Sequence, residues 1–204
     1  MKRKRISEIN AGSMADIAFL LLIFFLVTTT MDVDKGIFRK MPQKDESAPP
    51  VITKNKNILD ISINGNNEIW LGNEKIALGE LHKLAIDFID NGGGTDKNGR
   101  TCDWCNGAQK SNLSDHPTKA IISISADRKA NYETYVTVMD AVNSAYSSLR
   151  NKLCYTMFNK SYKVLEAEYK KTRSNDLLRK IKLIQEKYPL LIADIESTSA
   201  MAQR

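Results

Sequence analysis

The sequence predicts a single transmembrane helix followed by an α+β domain: a small sheet with two helices on one face, and a C-terminal helical pair inserted into it. Three observations carry that prediction. Residues 17–27 are eleven apolar positions without a break. From residue 51 the apolar period is two, then alternates with the helical period. After residue 149 a helical stripe continues almost to the C-terminus. With 204 residues and 42 % hydrophobic content, the chain supports one ordinary domain plus extensions.

Residues 1–10 form a basic tail. The chain has 30 Lys and Arg against 24 Asp and Glu, and Lys2, Arg3, Lys4 and Arg5 supply four of the six net charges, leaving +2 for residues 6–204. A nucleic-acid partner calls for basic residues clustered on a folded face. These sit ahead of an apolar run, so nucleic acid is not expected.

Extending the run through its small neighbours gives a span of 11–31, and about 20 helical residues cross a hydrocarbon core. A cleaved signal peptide competes with this reading. It is disfavoured because Thr28, Thr29, Thr30, Met31 and Asp32 offer no small-x-small cleavage site. Positive charge before the span places the N-terminus in the cytoplasm. No later stretch is long and apolar enough to return, so the chain is expected to cross once, with everything after residue 31 on the far side.

Asp16 is the ionisable residue of the span. Near a helix centre in lipid an acid costs roughly 2.5–3.5 kcal/mol, less toward the ends. Two readings stay open from physics alone. Asp16 either marks the helix start, eased by interfacial water and the helix dipole, or is a carboxyl that takes up and releases a proton, its pKa raised by desolvation. Asn10, Ser13, Thr28 and Thr29 are the polar residues at the ends of the span, and Ser13 can cap the helix.

Residues 32–50 read as a strand-forming segment and linker, the latter from Gln43 to Pro50 with its charges and two prolines. The distal domain occupies 51–204. Leu59, Ile61 and Ile63 alternate with Asp60 and Ser62, Asn64-Gly65 signals a hairpin, and Ile69-Trp70-Leu71 returns before Gly72-Asn73 turns again. Leu81, Leu84, Ala85 and Phe88 mark a helix over 79–90, with His82 beside its stripe and solvated. Residues 120–125 form a β-branched strand. A second helix, capped by Asn131, puts Tyr132, Tyr135, Val136, Met139, Val142 and Tyr146 on one core-facing side.

Between these elements, residues 91–119 are a glycine-rich loop insertion holding Cys102-Asp-Trp-Cys105. Zinc needs about four ligands and only Cys102, Cys105 and His116 lie together. A redox motif wants CxxC opening a helix, and Gly99 and Gly107 argue for a loop. A disulfide tying the loop, suited to an oxidising compartment, is the favoured reading of the three.

In the C-terminal quarter, residues 150–188 are expected to be a helical insertion. Leu149, Leu153, Met157, Val164 and Leu165 keep one stripe; Thr172 to Asp176 interrupt it with Ser174 as a cap; Leu177, Leu178, Ile181, Ile184 and Tyr188 form another. Leu190 to Ile195, short, apolar and β-capable, are then expected to supply a final strand, with the helical pair as an arm toward a partner protein or the cell wall; a floppy charged tail is the alternative, disfavoured by the one-sided apolar stripe.

Ser7-Glu8-Ile9-Asn10, followed by Asp16-Ile17 and the apolar run, resembles the N-terminus of the ExbD/TolR family. The segment Ile124-Ser125-Ala126-Asp127-Arg128, then Tyr132-Glu133-Thr134-Tyr135 and Val138-Met139-Asp140, resembles that family's periplasmic domain. The likeness covers 7–27, 58–89 and 120–146. One departure is Gly12-Ser13, where the family often has Thr-Pro.

The resemblance implies that Asp16 carries the proton and that residues 31–42 match a post-membrane strand able to pair with a sheet edge, a plain tether being the alternative. It implies no enzyme activity and no cofactor, with protons as the coupling ion. Asp127, Glu133 and Asp140 are then structural. The implied partners are a multi-pass ExbB-like ring, a second ExbD chain and a TonB-like protein. The implied location is the bacterial inner membrane, N-terminus cytoplasmic and distal domain periplasmic. A TolR-like envelope-maintenance subunit is the alternative within the family, and a membrane-anchored periplasmic binding module the alternative outside it.

Overall fold

The computed structural model describes residues 11–28 and 55–196. The chain divides into two compact units, residues 1–49 and 50–204, each described by itself. In the first unit, helix α1 runs Ala11–Thr28, 18 residues or about 27 Å. Among the described residues no helix is long and apolar enough to cross a membrane. The last three residues of the expected 11–31 span, the basic tail and the expected 32–50 segment lie outside the described residues. Ser13 is inside α1, so it is not the residue that caps it.

The second unit is α+β. A 3-10 turn (Asn55–Asn57) leads into β1 (Ile58–Ile63), then β2 (Ile69–Leu71), β3 (Glu74–Ile76) and helix α2 (Leu78–Ile89). Strand β4 (Ile121–Ala126) follows the long loop. Helices α3 (Tyr132–Phe158), α4 (Tyr162–Thr172) and α5 (Asn175–Lys187) precede the last strand, β5 (Ile192–Glu196). The sheet order is β3-β2-β1-β4-β5. It is mixed: β1–β2 and β2–β3 pair antiparallel, whereas β4 pairs parallel with both β1 and β5.

The alternation in β1 sorts the faces. Leu59, Ile61 and Ile63 are buried beside Ile122 and Ile124 of β4, which sit opposite Leu59 and Ile61 in the register. Helices α2 and α3 pack against each other and close this core, α2 through Leu81, Ala85, Phe88 and Ile89, α3 through Val138, Met139, Val142, Ala145, Tyr146 and Leu149. The β1–β2 turn is wider than a two-residue Asn-Gly hairpin. Asn64 accepts from the N–H groups of Asn66 and Glu68, and Asn67, rather than Gly65, takes the left-handed conformation (φ 65°). The β2–β3 turn is tight, with Gly72 at φ 60°, a conformation glycine adopts without steric cost.

Four expectations are corrected. Helix α3 is continuous to Phe158, because Leu149, Leu153 and Cys154 stay buried on its stripe, so the inserted helical pair begins at residue 159 and not at 150. Tyr132 is 66 % exposed and stacks on Tyr135 outside the core. His82 is half-buried rather than solvated, its Nε2 3.3 Å from Ser148 Oγ on α3. Val164 is exposed, whereas its neighbour Leu165 is buried and holds α4 to the domain. Residues 192–196 do form a final strand beside β4, after the α4–α5 pair.

Candidate functional site

The described apolar side chains of α1 are exposed in the single chain, Phe19 at 59 % and Leu26 at 73 %. Asp16 is the one ionisable residue of 11–28 and is exposed. Asp16, Leu20, Phe24 and Thr28 follow at intervals of four, a single ridge along the helix. Thr28 Oγ1 donates to the Phe24 carbonyl at 2.7 Å, so its hydroxyl is satisfied inside the helix and tolerates apolar surroundings. Among the described residues Asp16 has no comparable short-range bond. Asn10 and Thr29 lie outside the described residues.

In the distal domain the loop of 91–119 is held by buried polar bonds rather than by an apolar stripe. Asn91 Nδ2 donates to the carbonyls of Lys110 (2.9 Å) and Ser114 (2.8 Å), and its Oδ1 accepts from the Lys110 N–H (2.8 Å). Asn57 Oδ1 accepts from the Asp115 N–H at 2.7 Å, and Lys56 pairs with the Asp115 carboxylate. Gly107 passes so close to the Asp90 carbonyl that a Cβ there would lie 2.4 Å from its oxygen. Asp96 accepts from the Arg100 and Asn98 N–H groups and pairs with the Arg100 guanidinium. Those donors, the Arg100 backbone first, hold its carboxyl below the usual range.

Cys102 and Cys105 form a disulfide with Cα atoms 5.6 Å apart. The bond removes both thiols from any metal-ligand set. His116, the third member of that set, turns its Nδ1 to Thr118, 2.8 Å from the hydroxyl. Burial pushes the His116 imidazole below its ordinary pKa. Its ring meets Trp104 edge-on at 5.3 Å, and Lys187 of α5 places Nζ 3.5 Å from the centroid of the Trp104 ring. A cleft of about 630 Å³ opens here between loop and α5, lined by Asp96, Arg100, Thr101, Trp104, His116 and Lys187.

Asp90 joins the loop to the C-terminal helices. Its Oδ2 accepts from the Asn106 N–H, and its Oδ1 accepts from the Tyr188 hydroxyl at 2.5 Å in a buried position. Arg150 donates twice to the Tyr188 carbonyl (3.0 and 2.7 Å). Burial raises the Tyr188 phenol, and the Asp90 carboxylate raises it further. Sequence reasoning missed Asp90, Asn91, Tyr188 and Lys187, because their partners are remote along the chain and follow no period. Asp127 accepts from the Lys129 N–H in a turn. Glu133 and Asp140 are exposed on α3 and join no cluster with Asp127.

A family model described as biopolymer transport protein ExbD/TolR matches residues 2–151. The chain belongs to the ExbD/TolR family. The match takes in α1 with Asp16, the sheet up to β4, and α3 as far as Asn151, and it names transport rather than a chemical reaction. It spans both branches of the family without separating ExbD from TolR. Helices α4 and α5 and strand β5 fall beyond it, although β5 pairs with a strand inside it. No curated protein matches the chain.

Proposed function

We propose that this chain is the ExbD-like, proton-carrying subunit of a motor in the bacterial inner membrane. The observation that carries the reading is Asp16, the sole ionisable residue of an exposed apolar helix in the family-matched segment. Helix α1, continued to Met31, crosses the bilayer once with Lys2 to Arg5 on the cytoplasmic side. A second copy of the chain lies beside it in the pore of a multi-pass ExbB-like ring. The distal domain is periplasmic, where a Cys102–Cys105 disulfide persists.

Asp16 is protonated in the dry pore and ionised where a water path reaches it. Neutral, it removes the cost of a buried charge and frees the helix pair to turn; ionised, it is held at a polar partner. Each charge crossing 100 mV supplies about 2.3 kcal/mol, enough to bias one step. The ring transmits that step to a TonB-like protein that opens outer-membrane transporters. The proton is the coupling ion, and no cofactor or enzymatic step is involved.

Asp16→Asn preserves shape and removes the titratable proton. The expected result is normal membrane level and assembly with energy-dependent uptake lost. Full uptake by the variant would overturn the proton-carrier role and leave Asp16 as a helix-start residue. A TolR-like role uses the same chemistry for envelope maintenance. It is distinguished by which defect, in uptake or in envelope integrity, the wild-type chain repairs and Asp16→Asn does not.

A further inference from the structure

The net charge of +2 left after the basic tail conceals a division inside the distal domain. Residues 159–188 contain nine Lys and Arg against four Asp and Glu, a net of +5. The remaining described part of the domain, residues 55–158 and 189–196, has 11 against 14, a net of −3. Three of the nine cations form ion pairs: Lys160 with Glu168, Lys180 with Asp176, and Lys187 with Asp103, the last also over the Trp104 ring; Arg173 forms no ion pair but lies 5.8 Å over the Tyr169 ring. Those contacts also neutralise Glu168 and Asp176, leaving half-buried Glu166 and exposed Glu186 as the arm's remaining acids against six unpaired cations.

Six cations remain exposed and form no ion pair among the described residues: Lys163, Lys170, Lys171, Arg173, Arg179 and Lys182. Their placement follows from the fold. Helices α4 and α5 turn Leu165, Ile181 and Ile184 inward. At 3.6 residues per turn Lys163, Lys170 and Lys171 then share the outward side of α4, and Arg179 and Lys182 that of α5. Arg173, in the left-handed turn at φ 52°, continues the line between the helices.

We propose that the outward face of the α4–α5 pair docks on the anionic headgroups of a phospholipid membrane. The cations are spread over two helices and a turn, an arrangement suited to a broad, laterally adjustable array of phosphates. Val164, 46 % exposed beside Lys163, adds an apolar contact at the headgroup boundary. The proposal rests on the membrane-anchored reading for proximity. The 26 residues from 29 to 54, at most about 90 Å when fully extended, tether the domain to that anchor. An acidic protein segment is the competing occupant.

The test uses the full chain with vesicles of phosphatidylcholine alone or mixed with phosphatidylglycerol. Two readouts are taken separately. Flotation with neutral vesicles reports the anchor. Acylation rates of individual lysines by a soluble amine reagent, read by mass spectrometry, report the arm. Lys163, Lys170, Lys171 and Lys182 are expected to react about threefold or more slowly with anionic than with neutral vesicles, and to recover near 1 M salt, where the Debye length is about 3 Å. Lys83 and Lys129, on α2 and the β4–α3 turn, serve as unaffected references.

The variant K170E/K171E/R179E/K182E, which alters only exposed positions, should abolish protection of Lys163. Equal acylation of the four lysines in both vesicle types overturns the proposal even if the chain floats. Protection by a soluble poly-glutamate peptide, with none by anionic vesicles, overturns it in favour of an acidic protein. Failure to float with neutral vesicles, with arm protection intact on anionic ones, overturns the anchor and leaves the docking face standing.

Discussion

The loop of 91–119 and the helical arm of 159–188 both extend the domain, and they are held in opposite ways. The loop turns polar groups inward: Asn91, Ser114, Asp115 and His116 are all buried, and the amide of Asn91 alone closes three bonds. The arm turns Leu165, Ile181 and Ile184 inward and keeps its charges outside. The difference teaches where each segment has tolerance. A polar network depends on every partner being present, since an orphaned buried group costs its full desolvation. An apolar stripe loses stability in proportion to the volume removed, while its outer face is free to carry unrelated chemistry.

The largest expected effect is in the arm. Ile184→Ala removes a fully buried side chain and should cost about 2–5 kcal/mol, read as a lower denaturant midpoint at unchanged slope. Hydrogen exchange should rise in α4 and α5 before it rises in β1. Uniform acceleration across the whole domain would break the contrast, because the arm would then not be a separable stripe.

Asn91→Ala comes next, at about 1–3 kcal/mol, because it strands the Lys110 N–H and the Lys110 and Ser114 carbonyls. Proteolysis should then cut the loop first, with the arm still protected. A variant as stable as the parent would mean that water replaces the amide at no cost, and the loop would not be the all-or-none network described.

The smallest effect sharpens the root of the arm, where the Leu191 N–H donates to the Tyr146 hydroxyl at 3.4 Å. Burial pushes the Tyr146 phenol from 10.0 to about 12, and burial also raises Tyr188 and Tyr162. Below pH 10 folded and unfolded chains are both protonated at Tyr146, and its contribution is fully present. Between 10 and about 12 only the unfolded chain releases the proton, so stability falls as pH rises. Tyr146→Phe should cost about 1 kcal/mol at pH 7 and show a shallower alkaline decline. Identical slopes for parent and variant from pH 10 to 12 would exclude Tyr146 as a source of the loss.

Much of the sheet was legible because its residues repeat at short range. The alternation of Leu59, Ile61 and Ile63, the stripe of Leu81, Ala85 and Phe88, and the run after Pro189 each announce an element within a few positions. Helix α3 was harder. Its stripe passes residue 150 without a break, and only the left-handed Asn159 (φ 53°) ends it. The loop was legible as a loop, and so was its Cys102–Cys105 disulfide, but the polar network that holds it was not, since Asn57 and Asp115 are 58 positions apart and Tyr188 and Asp90 are 98. Nor does periodicity reveal that Tyr132 faces outward beside a buried stripe. Asp16 stood out as the one ionisable residue of an apolar run.

The parallel pairing of β5 with β4 has a consequence for how the chain is made. Glu196 is 70 positions after Ala126, so at roughly 5–20 residues per second a nascent chain spends about 4–14 s with one long edge of β4 unsatisfied. During that interval the N–H and C=O groups of β4 are open to any extended segment that passes. Helices α4 and α5, built from contacts near in sequence, assemble on a microsecond scale as soon as they emerge. They draw the ends of the excursion together before the last strand is finished. The arm thus shortens a slow search, and β5, the last of the described strands, closes the sheet against β4.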